Sequence, residues 1–304
     1  MSGPPRIFDR RLRRLRLERA ARGGDSADFL TARVAQDLVA RLEAVNRSFG
    51  VAVDLGAGRG AFGRALAASA AASKIAMLVE TDLSAPLLAH RGGPRLVAEE
   101  EALPFARGSL DLLVSGLALH WVNDLVGALI QIRLALKPDG LFIGAVLGGA
   151  TLTELRQALL EAEAEVRGGA GPRVSPFADA FDAAALLQRA GFALPVADVD
   201  RLAVRYGHPL ELLADLRAMG ETNVLAGRPA LPLTARVLAR ASEIYGDRFG
   251  APDGRITATF EIITLTGWAP HPDQQQPLRP GAAKMRLADV LRSGGRAAAD
   301  KAAQ

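Results

Sequence analysis

Asp54, Gly56, Gly58 and Gly60 occupy alternate positions in VAVDLGAGRG (51–60), an apolar run that ends in a glycine-rich turn. Glycines at this spacing let the backbone approach a ligand closely, and the helix-like FGRALAA that follows would offer its first amides. Three cofactor chemistries compete for such a turn. GAGRGA satisfies the dinucleotide pattern G-x-G-x-x-G/A. A nucleotide-phosphate loop needs Gly-Lys-Ser/Thr, which is absent here. The third chemistry is S-adenosylmethionine, and three features select it. Asp54 lies two residues before the first glycine, where a carboxylate repels pyrophosphate but accepts a hydrogen bond from a cationic amino-acid moiety. The additional glycine at 60 lets the backbone lie flat under a nucleoside. Acids then recur at the ends of the next apolar runs: Asp82, the Glu99-Glu100-Glu101 cluster, and Asp111. Asp82 can hold both ribose hydroxyls, and the glutamate cluster can meet an adenine amino group.

Methyl transfer asks little of a protein beyond an in-line nucleophile, exclusion of water and sometimes a base. Ser115 and His120-Trp121, followed by Asn123 and Asp124, are the candidates to face the methyl group. His120 suits a base because an imidazole titrates near neutrality; the alternative is that His120 and Trp121 only wall the pocket. Iron-dependent oxygen chemistry would instead require two histidines and a carboxylate. The chain has four histidines, at 90, 120, 208 and 271, and only His271-Pro272-Asp273 shows H-x-D spacing, with no later histidine. No metal site is expected. The absence of cysteine excludes disulfides, thiolate zinc sites, iron–sulfur clusters and cysteine nucleophiles.

These residues need a scaffold, and the hydrophobic pattern supplies one. Phe29, Leu30, Val34, Leu38, Leu42 and Val45 predict an amphipathic helix over 28–46. Strands are then expected at 51–55, 75–80, 95–99, 110–116 and 140–148. Helices fall between them, at 60–72, from Ser84, and at 123–136. Lys137-Pro138-Asp139-Gly140 reads as the turn into the fifth strand. Short apolar strands alternating with helices indicate a parallel sheet covered on both faces. Beyond 148, a helix carries Leu155, Leu159 and Val166 on one face and Glu154, Arg156 and Glu161 on the other. A glycine-rich loop (167–177), a helix at 182–190, extended segments at 192–206 and 256–269, and intervening helices at 209–219 and 232–246 complete the pattern. The expected fold is a Rossmann-like, doubly wound, mostly parallel α/β sheet with a C-terminal antiparallel strand pair and an inserted helical cap. It divides into a basic arm (1–27), a cofactor-binding core (28–148), the cap with the last two strands (149–269) and a polar, disordered tail (270–304).

The formal charge of +4 conceals an asymmetry. Eight arginines crowd residues 1–24 against Asp9 and Glu18. Those acids argue against a mitochondrial presequence. A nucleic-acid surface would interleave stacking aromatics, and only Phe8 is present, so no nucleic-acid partner is expected. The arm fits an anionic surface, either on its own domain or on a partner. No apolar run approaches the roughly 20 residues of a membrane span.

The series DLGAGRG, TDLS, EEEALPFARGSLDLLVSGLALHWVNDL and LKPDGLFIG resembles class I S-adenosylmethionine-dependent methyltransferases, including relatives of the malonyl-carrier-protein methyltransferase of biotin synthesis. Outside that core, IFDRRLRRLRLERAA, GGATLTELRQALLEAEAEVRGG, SPF (175–177), DLRAMGETN (215–223) and GW (267–268) resemble the mitochondrial complex I assembly factor 5 family and its bacterial relatives. This similarity runs from about residue 6 to 269, which makes the arm part of the mature protein. It implies Asp54, Gly56, Gly58, Gly60, Asp82 and Glu99, with Glu100 beside it, as cofactor positions. Ala57 stands where the family often has Cys, and Glu99 where it usually has Asp. The resemblance further implies a protein client among complex I subunits, with Trp121, Glu154, Arg156, Glu161, Glu221 and Asn223 as candidates to receive it. A bacterial protein of this family would be cytoplasmic; eukaryotic relatives work in the mitochondrial matrix. The resulting expectation is a methyltransferase-like protein acting on a protein client in complex I assembly. The alternatives are arginine hydroxylation of a complex I subunit, a non-catalytic cofactor-bound chaperone, and a carrier-protein or small-molecule O-methyltransferase.

Overall fold

The three central strands of the sheet, at 49–55, 110–116 and 136–147, bury apolar residues on both faces, such as Ala52 and Val53, Leu112 and Leu113, and Leu141 and Phe142, which places the sheet between two layers of helices. The computed structural model describes residues 6–23, 28–89 and 92–274. Its sheet holds β1 (Phe49–Leu55), β2 (Ile75–Asp82), β3 (Arg95–Val97), β4 (Leu110–Gly116), β5 (Leu136–Leu147), β6 (Ala193–Tyr206) and β7 (Ile256–Trp268). The spatial order is β3-β2-β1-β4-β5-β7-β6. The first five pair in parallel, and β7 runs antiparallel between β5 and β6. The Rossmann-like sheet and its late antiparallel pair are therefore as expected. Order reverses between β1 and β4, which opens a crevice at the carboxyl ends of the strands, where ligands bind in such sheets.

The helices are α1 (Arg10–Ala21), α2 (Phe29–Ala44), α3 (Ala61–Ala67), α4 (Ala85–Leu88), α5 (Leu125–Ala135), α6 (Thr153–Arg167), α7 (Ala180–Arg189), α8 (Pro209–Ala218) and α9 (Ala235–Phe249). α5 and α7 cover one sheet face through Leu129, Ile132, Ala183 and Leu187. α2, α6, α8 and α9 share the other core with β1, β4 and β5, through residues such as Leu38, Leu155, Leu212 and Tyr245. The inserted helices α8 and α9 thus extend the main core. Asp124 caps α5 by accepting from the Gly127 N–H at 2.8 Å. The expected turn at Lys137–Gly140 lies instead within β5, where Asp139 adopts φ +62° and the pairing with β4 shifts register. Among the described residues no helix is long and apolar enough to cross a membrane.

The basic arm is a helix strapped onto its own domain. Asp9 caps α1 by accepting from the Leu12 N–H at 2.9 Å. Ahead of it, the Ile7 and Phe8 N–H groups donate to Asn123 Oδ1, and the Asp9 N–H donates to the Val224 carbonyl. Phe8 packs edge-on against Trp121, with ring centroids 5.3 Å apart. Arg13 is buried; it donates to the Gly220 carbonyl and pairs with Glu221, both at 2.8 Å, and its guanidinium lies over the Trp121 ring.

The described residues up to Pro270 form one compact unit, and a second unit begins at His271. Of the latter only 271–274 are described, a turn in which the Asp273 N–H donates to His271 Nδ1. The expectation for the rest of the tail, like His90, lies outside the described residues.

Truncating one member of a buried ion pair strands the other charge. Arg13→Ala is therefore expected to destabilise the protein by about 3–5 kcal/mol, and Glu221→Gln in the same chain to recover much of that loss. Denaturant unfolding of the three variants checks this; an Arg13→Ala protein as stable as the parent would contradict it.

Candidate cofactor and substrate site

The β1–α3 turn bends through three left-handed glycines, Gly56, Gly58 and Gly60, at φ +73°, +54° and +71°. Their roles differ. A Cβ on Gly56 would lie 2.2 Å from that of Ala118, so this glycine lets the turn pack against the segment after β4. A Cβ on Gly58 would meet nothing within 4 Å, and the residue borders a cavity. Gly60 starts α3 and lines no cavity; its N–H donates to the Ala57 carbonyl.

Asp82, at the end of β2, fastens the neighbouring loops together. Its Oδ2 accepts from the Gly58 N–H at 2.9 Å and its Oδ1 from the Ser84 N–H at 2.7 Å. Burial pushes this carboxyl up, and the two amide bonds oppose that shift. Asp54, Asp82 and Glu100 are all buried and face the same cavity. Burial first, with Asp82 contributing against the opposing pull of Arg10, raises Glu100 to about 7. Glu99 turns outward from the cavity and is paired with Arg10 at 2.5 Å; Arg10 also bonds Glu100 and donates to the Trp121 carbonyl at 3.0 Å.

Over this cavity lies α1. Arg10, Arg13, Leu17 and Ala20, spaced as one helical face, form its wall opposite the glycine turn. They leave about 90 Å³ of free space. The three arginines that reach the cavity are already satisfied: Arg10 by glutamates, Arg13 by Glu221, and Arg59 by the Ala20 and Gly23 carbonyls. What remains is an acid-rich pocket with an open cradle at Gly58 and apolar walls at Leu38, Phe62 and Leu117. Leu117 holds φ +61°, a costly conformation for a bulky residue that turns the chain out of β4 toward the cavity. Ribose hydroxyls, an adenine edge and a cationic sulfonium fit this donor and acceptor set, whereas pyrophosphate does not.

A second cavity, about 410 Å³, adjoins the first, and both are bordered by Met219 and Glu221. Leu152, Leu155, Leu159, Phe177, Leu216 and Phe260 give it an apolar wall. Trp121 lines the larger cavity and Glu221 lines both, while His120 is buried beside them and lines neither. Trp121 Nε1 donates to Glu221 Oε2 at 2.8 Å, and His120 Nε2 lies 3.6 Å from the same oxygen. Burial pushes His120 down against the pull of Glu221, so the ring is neutral at neutral pH. Burial acts the opposite way on Glu221, but Arg13 and then His120 hold it at about 2. The junction thus presents an ionised carboxylate backed by a neutral, buried imidazole.

Several sequence candidates lie elsewhere. Ser115 is fully buried and its hydroxyl donates to the Leu55 carbonyl at 2.8 Å, tying β4 to β1 and lining neither cavity. Glu154 accepts from the Thr259 N–H and hydroxyl, and Arg156 donates to the Thr151 and Ser175 carbonyls. Glu161 pairs with Arg248 on the surface. These three hold α6 in place and line neither of the two adjoining cavities; Arg156 borders a separate one of about 340 Å³, with Leu160 and Pro172. Asn223 does line the larger one, with its amide committed to the Pro172 carbonyl and the Leu225 N–H. Arg10, Arg13 and Met219 were missed. Their only signal was spacing: Arg10, Arg13, Leu17 and Ala20 recur as one helical face after a capping aspartate, with arginine in apolar positions. Among the described residues no three His, Asp or Glu side chains are grouped to hold a metal ion.

The sheet order, the glycine turn and the acids after β1, β2 and β3 define a class I methyltransferase whose cofactor is S-adenosylmethionine. Residues 53–144 match the family described as Methyltransferase domain. The YcgJ protein of Bacillus subtilis shares the fold, with TM-score 0.51 at 16% identity over 77% of this chain and 98% of that one. More specifically, the chain belongs to the family of arginine-hydroxylase NDUFAF5. It is 39% identical to the mitochondrial NDUFAF5 of Danio rerio, covering 95% of this chain and 90% of that protein, and 39% identical to that of Homo sapiens over 93% and 83%. It is also 35% identical to the malonyl-[acyl-carrier protein] O-methyltransferase of Halorhodospira halophila, over 88% and 90%.

Two outcomes follow from this geometry. Gly58→Arg projects a side chain into the cradle and should remove the thermal shift given by S-adenosylhomocysteine while leaving a cooperative melt; a normal shift would show that the turn is not the pocket. The raised pKa of Glu100 means that the folded state holds its proton more tightly than the unfolded chain. That stabilisation is fully present below the ordinary value of 4.5 and is lost as pH rises through about 7. Glu100→Gln should therefore gain on the parent by on the order of 1–3 kcal/mol between about pH 5 and about pH 8. Parallel melts at both pH values test this, and an unchanged difference would contradict it.

Proposed function

We propose that this protein is an S-adenosylmethionine-dependent enzyme that modifies a protein client during respiratory complex I assembly. The observation that carries this reading is the extent of the relationship to arginine-hydroxylase NDUFAF5: 39% identity over 95% of the chain. That extent goes well beyond the methyltransferase core at 53–144 and takes in α6 and α8, whose residues wall the larger cavity.

In this reading Asp54, Gly58, Asp82 and Glu100 hold the cofactor, with Asp82 at the ribose and Glu100 toward the adenine. Gly56 and Gly60 shape the turn, and Glu99 acts through Arg10. The cofactor supplies an electrophilic methyl group on a sulfonium. Glu221 sits where client and cofactor sites meet, and His120, buried 3.6 Å from it, would take up a proton from the client once its ring is reached, with the ionised carboxylate stabilising the resulting imidazolium. Trp121 fixes the carboxylate, and α1 excludes water. The client reaches this junction from the side of the larger cavity, past Asn223. A bacterial protein with these features works in the cytoplasm, and the outward-facing arginines of α1 give it a peripheral hold on an anionic surface.

The activity for which the mitochondrial relatives are named favours a second reading, hydroxylation of a client arginine. Mass spectrometry of complex I subunits from cells with and without the gene separates the two. A lost CH₂ increment supports methylation, and a lost oxygen supports hydroxylation. No change in any subunit would leave an assembly role without chemistry. Deletion is expected to lower assembled complex I in every case, measured by native electrophoresis and NADH oxidation. Normal complex I in a clean deletion would overturn the assembly role.

A further inference from the structure

The larger cavity carries features that neither the cofactor nor a basic client segment requires. Its wall is predominantly apolar, and its free space of about 410 Å³ lies within the roughly 300–1,000 Å³ of small-molecule sites. Three polar groups at its border set it apart from an ordinary packing defect. Arg16, from α1, and Arg217, from the last turn of α8, have no acidic partner among the described residues. Arg16 Nε and Thr222 Oγ1 are buried without a hydrogen-bond partner among those residues. A buried donor left unmade costs about 1–3 kcal/mol, so paired orphans at one cavity mark a place built for an acceptor.

The surrounding charges give the sign of that acceptor. Arg19, Arg217 and Arg228 lie near enough to Arg16 that, after burial, they push its guanidinium down. The other charged groups at the cavity are already neutralised. Arg173 is paired with Glu163 at 2.6 Å, and Glu221 with Arg13 at 2.8 Å. The unbalanced charge is therefore positive, concentrated at the Arg16–Arg217 border, while Leu152, Leu155, Leu159 and Phe260 lie deeper against α6 and the sheet.

We propose that this cavity binds an amphiphile, a fatty carboxylate whose chain lies against Leu155, Leu159, Leu216 and Phe260 and whose head accepts hydrogen bonds from Arg16, Arg217 and Thr222. A guanidinium fork matches the two oxygens of a carboxylate, and the Thr222 hydroxyl supplies a third donor. The chain replaces water along an otherwise apolar wall. This assignment is independent of the reaction at the junction, because it rests on the orphaned donors and the cavity alone.

The probe is laurate, titrated into full-length protein by calorimetry with and without saturating S-adenosylhomocysteine. Saturable one-to-one binding is expected. Arg16→Gln combined with Arg217→Gln should weaken it at least about tenfold, the effect of losing charge-assisted bonds. Leu159→Trp should abolish it by filling the cavity. Retained affinity for S-adenosylhomocysteine shows that each variant is folded. Dodecyl maltoside, with the same chain and no charge, should bind more weakly than laurate. Equal binding of the two, or laurate binding indifferent to both arginines, would overturn the carboxylate site. Tighter, arginine-dependent binding of lauroyl lysophosphatidate would reassign the head to a phosphate and overturn the carboxylate. No binding of any amphiphile would return the cavity to an apolar side chain of the protein client.

Discussion

A buried ion pair, Arg13 with Glu221, joins the two ends of the polypeptide that build this site. Neither charge could be taken out of water alone, because each would carry a desolvation penalty of several kcal/mol. Together, with the Gly220 carbonyl, Trp121 Nε1 and the Trp121 ring face satisfying the remaining groups, they form a closed set. The rest of the junction depends on this set. It holds Glu221 ionised despite burial and fixes Trp121. His120 is meanwhile left neutral beside a carboxylate it does not need to neutralise. Removing Arg13 would therefore alter charge states at the junction as well as the position of α1.

The acids of the cofactor pocket obey the same economy of charge. Asp54, Asp82 and Glu100 are held in a space little exposed to solvent; burial raises the carboxyls of Asp82 and Glu100, and the charges of Asp82 and Glu99 add to the rise at Glu100. Arg10 relieves it from one side, and the Gly58 and Ser84 amides relieve it from another. A cation entering the pocket would add a third counter-charge. The site is thus electrostatically prepared for a positively charged ligand, and Arg10 is the group that such a ligand must work around.

Much of this was legible from the residues. The apolar runs gave strands with small boundary errors, because strands buried on both faces need continuous apolar sequence. Asp82 and the glycine turn were identifiable because φ above zero and a carboxylate after β2 demand particular residue types. α1 was legible only as charge. Its buried face is made of Arg10 and Arg13 together with Leu17 and Ala20, so a hydrophobic pattern could not reveal it, and the acids that permit that burial lie some 90 and 210 residues away in the chain. Ser115 and the charged face of α6 failed for the complementary reason. Hydroxyls and carboxylates are as useful for tying strand to strand or helix to sheet as for chemistry, and only the partners distinguish the uses.

The two cavities share more than a border. α1 presents Arg10, Arg13, Leu17 and Ala20 to the cofactor pocket, while Arg16, from the same helix, reaches the larger cavity. A rigid helix cannot move away from one cavity without moving its residues in the other. A ligand that displaced α1 from the smaller pocket would therefore shift the Arg16 guanidinium as well. Such a displacement would couple the two sites, and the coupling would be reciprocal: whatever the cofactor did to the affinity of the larger cavity, a ligand there would do equally to the affinity for the cofactor.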